Sequence, residues 1–501
     1  MHIIGPVIGK SVLLLFAGLI MLNPAATAGF DMNANCRHAY EEIIGLKFSA
    51  AEQRILAEKR SNPTNDAVIF LDNKILFLKA FISEEQTDFQ KLKTAKDEAI
   101  NVLKKGDPSN PYYTVAAAEI LMQTAVVKIK FREFFSGALE VRKAYRMLES
   151  NRKTFPGFIP GNKGIGILHA LIGAVPENYK WIVKLVGMDG NIRQGIGELK
   201  KLLDASANNP ELSWLREETL FMLIYAQHHL LKDDATTSQM INSVDMTSAS
   251  PLIYFVVANF NNSTGNSARN LVLLGNYKPA PGTVNLPFLN FMRGSAMMFN
   301  LDASAAKYFQ MYVDEFRGQN FIKAAYQKLS WISILQGDTA GYRKHLGKAR
   351  TTGNDFVDED KQALNESLSD ELPNTYLLRS RLLFDGGYYQ RSLSELGGKK
   401  LEDFPRLKDQ LELTYRMGRI FDKLGQKDKA KNYYESTFIN GQRQTWYFAA
   451  NAALHLAILY EVERNLVLAR EWYYKCQSLR NHEYQNSIDQ KAEAGLNRIG
   501  K

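Results

Sequence analysis

Eight histidines, two cysteines and scattered carboxylates are the groups in this chain able to catalyse or to hold a metal. His228 and His229 are adjacent, so on a helix they point about 100° apart and cannot clamp one ion as an i, i+4 pair would. The Gly-x-x-Gly-x-Gly run from Gly161 to Gly166 has the outline of a phosphate loop. Pro156 and Pro160 precede it in place of a β-branched strand, so the pattern predicts a loop leading into a helix. Gly5-Pro6-Val7-Ile8-Gly9-Lys10-Ser11 is one residue short of a P-loop. No G-x-S-x-G, H-E-x-x-H or C-x-x-C motif occurs. Asp302, Asp314, Glu315 and Asp358-Glu359-Asp360 are acidic, but no spacing forces two of them together as a hydrolytic pair needs. The doublets Tyr112-Tyr113, Tyr388-Tyr389, Tyr433-Tyr434 and Tyr473-Tyr474 offer rings for stacking sugars. These readings predict no catalytic residue, no metal site, no cofactor and no enzymatic activity.

The elements that would carry these residues read as amphipathic helices. Leu413, Met417, Phe421 and Leu424 form one apolar stripe, and Ala430, Tyr433, Tyr434, Thr437 and Phe438 a facing one. Ala453, Leu456, Ala457 and Tyr460 repeat the first stripe; Ala469, Trp472, Tyr473 and Cys476 repeat the second. Within them Gly418, Phe421, Ala430 and Tyr434 correspond in register to Ala457, Tyr460, Ala469 and Tyr473. Small residues let two helices approach and the aromatics fill the space beside them. Gly425 stands where a helix end favours a left-handed residue. No proline falls between Pro287 and Pro373 or after Pro405, so both stretches can hold uninterrupted helices.

This register resembles the tetratricopeptide repeat, a helix pair of roughly 34 residues that stacks into a solenoid. The fold it implies is an all-α, right-handed α-solenoid of antiparallel helix pairs. A weaker copy lies at Leu383, Gly387, Ser392 and Leu396, another at Leu289, Gly294, Met297 and Ala306, and a third from Ala325 to Ala349 around Gly337-Asp338. In such arrays the first helix of each pair lines a concave binding face. Transferred by register, that face comprises Asn374, Leu377, Arg381 and Phe384; then Glu412, Tyr415, Arg419 and Asp422; then Asn451, Leu454, Ile458 and Glu461. The same register puts Tyr434 and Tyr473 in packing slots. The Lys/Asn pattern that clamps a peptide C-terminal carboxylate in chaperone-binding relatives is missing.

A second likeness lies further upstream. Val175-Pro176, Val186-Gly187-Met188-Asp189-Gly190 and Gly195-Ile196-Gly197-Glu198-Leu199 resemble a motif of the tetratricopeptide proteins that include inclusion-body clearance protein and tetratricopeptide repeat protein thirty-nine. Those eukaryotic proteins work inside the cell, at or near organelle and lipid-droplet surfaces. Here the N-terminus reads differently: Lys10, an eleven-residue apolar run from Val12 to Leu22, and Ala26-Thr27-Ala28 form a secretory signal with cleavage after Ala28. The run falls short of the about 20 residues that span a bilayer; an uncleaved anchor is the alternative. The expected organisation is a signal peptide over 1–28, an N-terminal helical region over 29–258, a loop-rich break over 259–287 and C-terminal repeats over 288–501. Asn261, Asn262 and Asn365 head N-x-S/T triplets.

Formal charge is 62 − 53 = +9, or +8 once Lys10 is removed with the signal. Basic and acidic residues are interleaved, as on solvated helix faces, and nothing points to nucleic acid. Cys36 and Cys476 lie near opposite ends of the mature chain, beyond the about 7 Å a disulfide tolerates in an open solenoid; a buried thiol is expected at Cys476. The function these features predict is an exported periplasmic or secreted scaffold that binds a protein or peptide in its groove. The alternative is a helical envelope protein binding glycan or lipid, suggested by the tyrosines and the mild positive charge.

Overall fold

The computed structural model describes residues 29–175, 180, 184, 186–369 and 371–500. The expected signal segment over 1–28, together with Pro176 of the second motif, lies outside them. Among the described residues there is no β-strand; Gly29 and Asn65 form one isolated bridge. The first half holds α1 (Ala34–Ile44), α2 (Phe48–Ser61), α3 (Ala67–Ser83), α4 (Gln86–Leu103), α5 (Pro111–Lys130) and α6 (Phe134–Thr154). It continues through α7 (Asn162–Gly173), α8 (Ile192–Asn208), α9 (Arg216–Tyr225) and α10 (Asp234–Asn242). The second half holds α11 (Pro251–Ser263), α12 (Ser267–Asn276), α13 (Phe288–Phe299), α14 (Ala305–Glu315), α15 (Ile322–Leu335), α16 (Thr339–Thr351) and α17 (Asp358–Ser367). It ends with α18 (Thr375–Asp385), α19 (Tyr389–Leu396), α20 (Leu407–Lys423), α21 (Lys427–Gly441), α22 (Phe448–Val462), α23 (Leu466–Ser478) and α24 (Gln485–Ile499).

Successive helices pack as pairs, and the first helix of each pair also touches the first helix of the next, from α1 through α22. That double neighbour relation makes an all-α solenoid. Helix α17 is an extra element laid over α15 and α16, and α24 covers α22 and α23 as a terminal cap. The turns share one device. Left-handed residues stand between the two helices of ten pairs: Leu46, Glu84, Arg132, Lys232, Gly265, Leu301, Gly337, Gly387, Gly425 and Arg464. Only four of these are glycine, the residue that adopts this conformation without steric cost. The turn amides then return to the helix end, as Gln426 N–H does to Phe421 O at 2.9 Å and Asn465 N–H to Tyr460 O at 2.9 Å.

All three upstream copies read from the sequence are helix pairs: α18–α19, α13–α14 and α15–α16. The small/aromatic register packs as expected. A Cβ on Gly418 would stand 2.6 Å from the Tyr434 ring, and Tyr434, Ala457, Ala469 and Tyr473 are fully buried. Cys36 and Cys476 are buried free thiols, and burial pushes both up to about 12.

One stretch departs from expectation. The loop-rich break assigned to 259–287 is mostly helix: the end of α11 and all of α12 fill it, leaving the turn at 264–266 and irregular chain over 277–287. Its asparagines pair with one another instead of breaking the helices. Asn261 Nδ2 donates to Asn270 Oδ1 at 3.1 Å, and Asn270 Nδ2 to Ala258 O and Asn262 Oδ1 at 2.8 Å each. The Gly161–Gly166 run is the expected loop leading into a helix: a 3-10 turn, Ile159–Gly161, ends at its first glycine, and Gly164 and Gly166 lie inside α7. There they allow close crossing with α8, since a Cβ on Gly195 would stand 2.2 Å from Gly166 O and 2.5 Å from Ala170 N.

The first five pairs curl until α1 meets the turn before α9. Arg37 pairs with Glu211, and the Tyr40 and Trp214 rings meet edge-on at 4.6 Å. Their inner helices close on a buried ionic cluster. Lys74 Nζ donates to Glu218 Oε1 at 2.7 Å; Lys163 Nζ reaches Glu218 Oε2 at 2.8 Å and Glu119 Oε2 at 3.0 Å, and donates to Tyr40 Oη at 2.5 Å. The Tyr40 hydroxyl donates to Glu218. Two lysines thus balance two glutamates, contributed by α3, α7, α5 and α9. Desolvation opposes ionisation of Glu218, but Lys163 and Lys74 outweigh it and hold the carboxyl well below the usual range. For Lys74 burial wins and lowers the ammonium; for Lys163 the two glutamates win and raise it. The inner helices of this first coil are therefore joined through a buried ionic cluster.

Candidate functional site

The second half leaves its inner face open where α18, α20 and α22 stand side by side. There Arg381, Phe384, Asp385, Tyr415, Arg416, Arg419, Tyr447 and Asn451 surround a cavity of about 180 Å³. Five of the residues placed on the concave face by register meet in it: Arg381, Phe384, Tyr415, Arg419 and Asn451. Arg416, Asp385 and Tyr447 are additional. Arg416 extends the Glu412–Arg419 helical stripe and was legible from that spacing; Tyr447 precedes α22 and only the turn before that helix brings it in.

The cations are held but not neutralised to the same degree. Arg416 is paired with Glu412 one turn away. Arg381 lies 3.8 Å from Asp385 and 4.9 Å over the Trp331 ring. Arg419 has no carboxylate within salt-bridge distance among the described residues. It donates to Tyr415 Oη at 3.0 Å and lies 4.8 Å over the Phe384 ring. Burial disfavours both the Arg381 and Arg419 cations, yet the surrounding acids and tyrosine oxygens outweigh it and raise both above the ordinary guanidinium value. Aromatic rings pack on one another at and beside the cavity. Tyr415 packs edge-on against Tyr447 at 5.7 Å, and Tyr434 stacks on His455 at 5.4 Å. Burial and the neighbouring Arg419, Lys491 and Lys423 push His455 well below its ordinary value. The arrangement presents fixed guanidinium donors between aromatic faces, suited to an anionic group carried on an apolar segment.

The other register-predicted residues do not join the cavity. Asn374 caps α18, accepting from Tyr376 N–H at 3.0 Å and Leu377 N–H at 3.3 Å. Leu454 is a correction: it is buried in the core shared with Ile488 and Leu496, because α24 closes over α22. Leu377 is likewise core, packed with Leu396, Phe404 and Leu413. Glu461 is taken by Arg498 of the same cap at 2.8 Å. Asp422 accepts from Tyr434 Oη at 3.4 Å, and burial raises its carboxyl. Ile458 is 37% exposed, further along the face.

The residues weighed for chemistry have structural partners. His228 Nδ1 is 2.6 Å from Asp234 Oδ1 and its Nε2 is 2.6 Å from Ser263 Oγ; His229 Nε2 is 2.8 Å from Asn259 Oδ1. Both histidines stand in a π-helical turn, Ala226–Leu230. Asp302 accepts from Ser304 N–H, and Asp360 from Phe321 and Ala324 N–H at the start of α15. No cluster of metal-ligating side chains occurs among the described residues.

No protein-family model and no curated protein sequence matches the chain. Among solved structures it is similar to the structure of Naa15/Naa10 bound to HypK-THB, at 13% identity over 93% of this chain, with a TM-score of 0.23. The chain spans 65% of that protein's length. It is also similar to the crystal structure of the APC/C hetero-tetramer Cut9-Hcn1, at 10% identity over 86% of this chain and 96% of the other, again with a TM-score of 0.23. By its own stacked helix pairs and their small/aromatic register, the chain is a tetratricopeptide-like α-solenoid.

Proposed function

We propose that this protein is a non-enzymatic, exported scaffold that binds a protein or peptide partner in the groove of its second half. The observation that carries the reading is the cavity between α18, α20 and α22, where Arg381 and Arg419 stand in an aromatic wall without full neutralisation. An extended segment bearing an acidic or otherwise anionic side chain fits it: the charge meets the guanidinium groups and the apolar remainder meets Phe384, Tyr415 and Tyr447. Preorganised aromatic and arginine anchors of this kind dominate binding energy at protein interfaces.

Crosslinking and pulldown from the native envelope, compared between the wild type and the double variant Arg381→Glu/Arg419→Glu, tests the assignment. The partner recovered by the wild type is expected to be lost or reduced about a hundredfold, because truncating or reversing central charged anchors costs several kcal/mol. An unchanged set of partners would place the binding face elsewhere.

Export rests on the signal pattern at Lys10, Val12–Leu22 and Ala26-Thr27-Ala28. N-terminal sequencing of the mature protein is expected to begin at Gly29; an intact Met1 in the membrane fraction would overturn export as a free protein. The likeness to the inclusion-body clearance and tetratricopeptide thirty-nine family is one of fold in this reading. Its glycines Gly190 and Gly195 press against α7, a packing role independent of compartment.

A further inference from the structure

An apolar hollow with a charged mouth lies away from the groove, where the turns of the first coil meet the second. It has a volume of about 630 Å³, within the range of small-molecule sites. Phe81 and Ile82 end α3 on one side; Phe255, Phe288, Phe316 and Phe321 close the other. Ile82 also packs with Leu286, Leu289 and Met292, so the two coils share a core directly beside it. The wall is fixed at Phe321, whose left-handed backbone is held by an N–H bond to Asp360 Oδ2 at 2.6 Å. Ile129 at 46% and Phe134 at 60% exposure leave the entrance apolar and open.

Charge at this hollow is one-sided. Lys130, Arg132 and Lys361 line it with a single carboxylate, Glu84. Glu84 is already committed, to Lys130 Nζ at 2.7 Å and to Asn320 through both backbone and side-chain N–H donors. Arg132 lies 3.5 Å over the Phe356 ring and makes a long pair to Asp355 at 3.9 Å, and Lys361 pairs with Asp358, which is 93% exposed. Exposed pairs of this kind are weak and readily exchanged. An apolar chamber with two available cations at its mouth matches a molecule that is apolar along its length and anionic at one end.

We propose that this hollow binds a single-chain anionic amphiphile: an acyl chain inserted between Phe81, Phe255 and Phe321, its acidic headgroup at Arg132 and Lys361. The acyl group enters either as a free fatty acid or as a lysolipid. This site is separate from the groove, so binding here and partner capture there stand or fall independently.

The test is equilibrium binding to the purified mature chain, below micelle-forming concentrations, of oleate, of oleoyl-lysophosphatidylglycerol and of neutral oleyl alcohol. One saturable site is expected. Among saturated fatty acids affinity should rise about fourfold per added methylene until the chamber is full. Arg132→Glu/Lys361→Glu should weaken oleate or the lysolipid about tenfold while leaving oleyl alcohol within about threefold. Ile129→Trp, at an exposed rim position that leaves the helix intact by circular dichroism, should block all three probes. Binding of oleate alone, or of the lysolipid alone, identifies the source and supports the site. Absence of saturable binding, or affinities indifferent to both variants, overturns it. So does a wild-type dimer that Ile129→Trp dissociates without any probe binding, since the hollow would then be a contact between copies of the chain.

Discussion

Replacing Glu218 by alanine is expected to destabilise the first coil by about 3–5 kcal/mol, the cost of leaving buried charge uncompensated. The carboxylate holds both Lys74 and Lys163, and accepts the Tyr40 hydroxyl, where none of the four side chains reaches water freely. Removing it leaves two buried ammonium groups facing the single remaining Glu119. If charge imbalance is the cause, Lys74→Met combined with Glu218→Ala should recover at least about 1 kcal/mol over the single change, since replacing a whole buried pair by apolar groups is often neutral. Hydrogen exchange localised to α1, α3, α7 and α9, with denaturant midpoints alongside, reads both variants. A double variant weaker than the single one would rule out imbalance as the source. The pH dependence has a definite sign. Glu218 is held below its unfolded value, so its contribution is present above the ordinary glutamate range near about 4.3 and is lost as pH falls below it. Glu218→Gln should flatten that acid limb.

Two glycines two residues apart on α8 should respond in opposite directions. Gly195→Ala puts a methyl group 2.2 Å from Gly166 O and 2.5 Å from Ala170 N, against backbone that no rotamer change can move aside. A loss of about 3 kcal/mol, the upper end of ordinary overpacking, is expected. Gly197→Ala meets nothing within 4 Å and lies on the exposed face of the same helix, so it should gain about 0.5–1 kcal/mol from helix propensity alone. Thermal unfolding of the two variants decides it. Equal effects would mean that α7 and α8 do not cross at Gly166 and Gly195.

The repeats legible before the structure were those whose turns and packing slots carry distinctive residue types. Gly337, Gly387 and Gly425 mark the turns of three pairs, and Gly418/Tyr434 and Ala457/Tyr473 mark two crossings. In the first half the same left-handed turn position is filled by Leu46, Glu84, Arg132 and Lys232. Only φ reveals that they do the work of glycine, so those pairs read as helical but not as repeats. The asparagine-rich segment misled for a related reason. Asn, Ser and Gly favour turns when their side chains bond locally, but Asn261 and Asn270 bond across a helix pair instead. Register located Arg381, Phe384, Tyr415, Arg419 and Asn451 because helical periodicity is strictly local. It could not show that α24 covers Leu454 and that Arg498 takes Glu461.

The amino-acid pattern by itself determined that this chain makes amphipathic helices, that its last third stacks in pairs, and which arginines and aromatics share a helix face. Each of these depends on residues within about one or two turns of one another. Tertiary structure alone decided where the solenoid is closed and where it is open. Lys74, Glu119, Lys163 and Glu218 come from four helices and carry no spacing in common, yet superhelical curvature brings their charges together and joins the inner helices of the first coil. The same curvature opens the second coil at Arg381 and Arg419 and leaves an aromatic hollow where the two coils meet. Curvature accumulates from small rotations between successive pairs, a sum over the whole chain that no local stretch of sequence records.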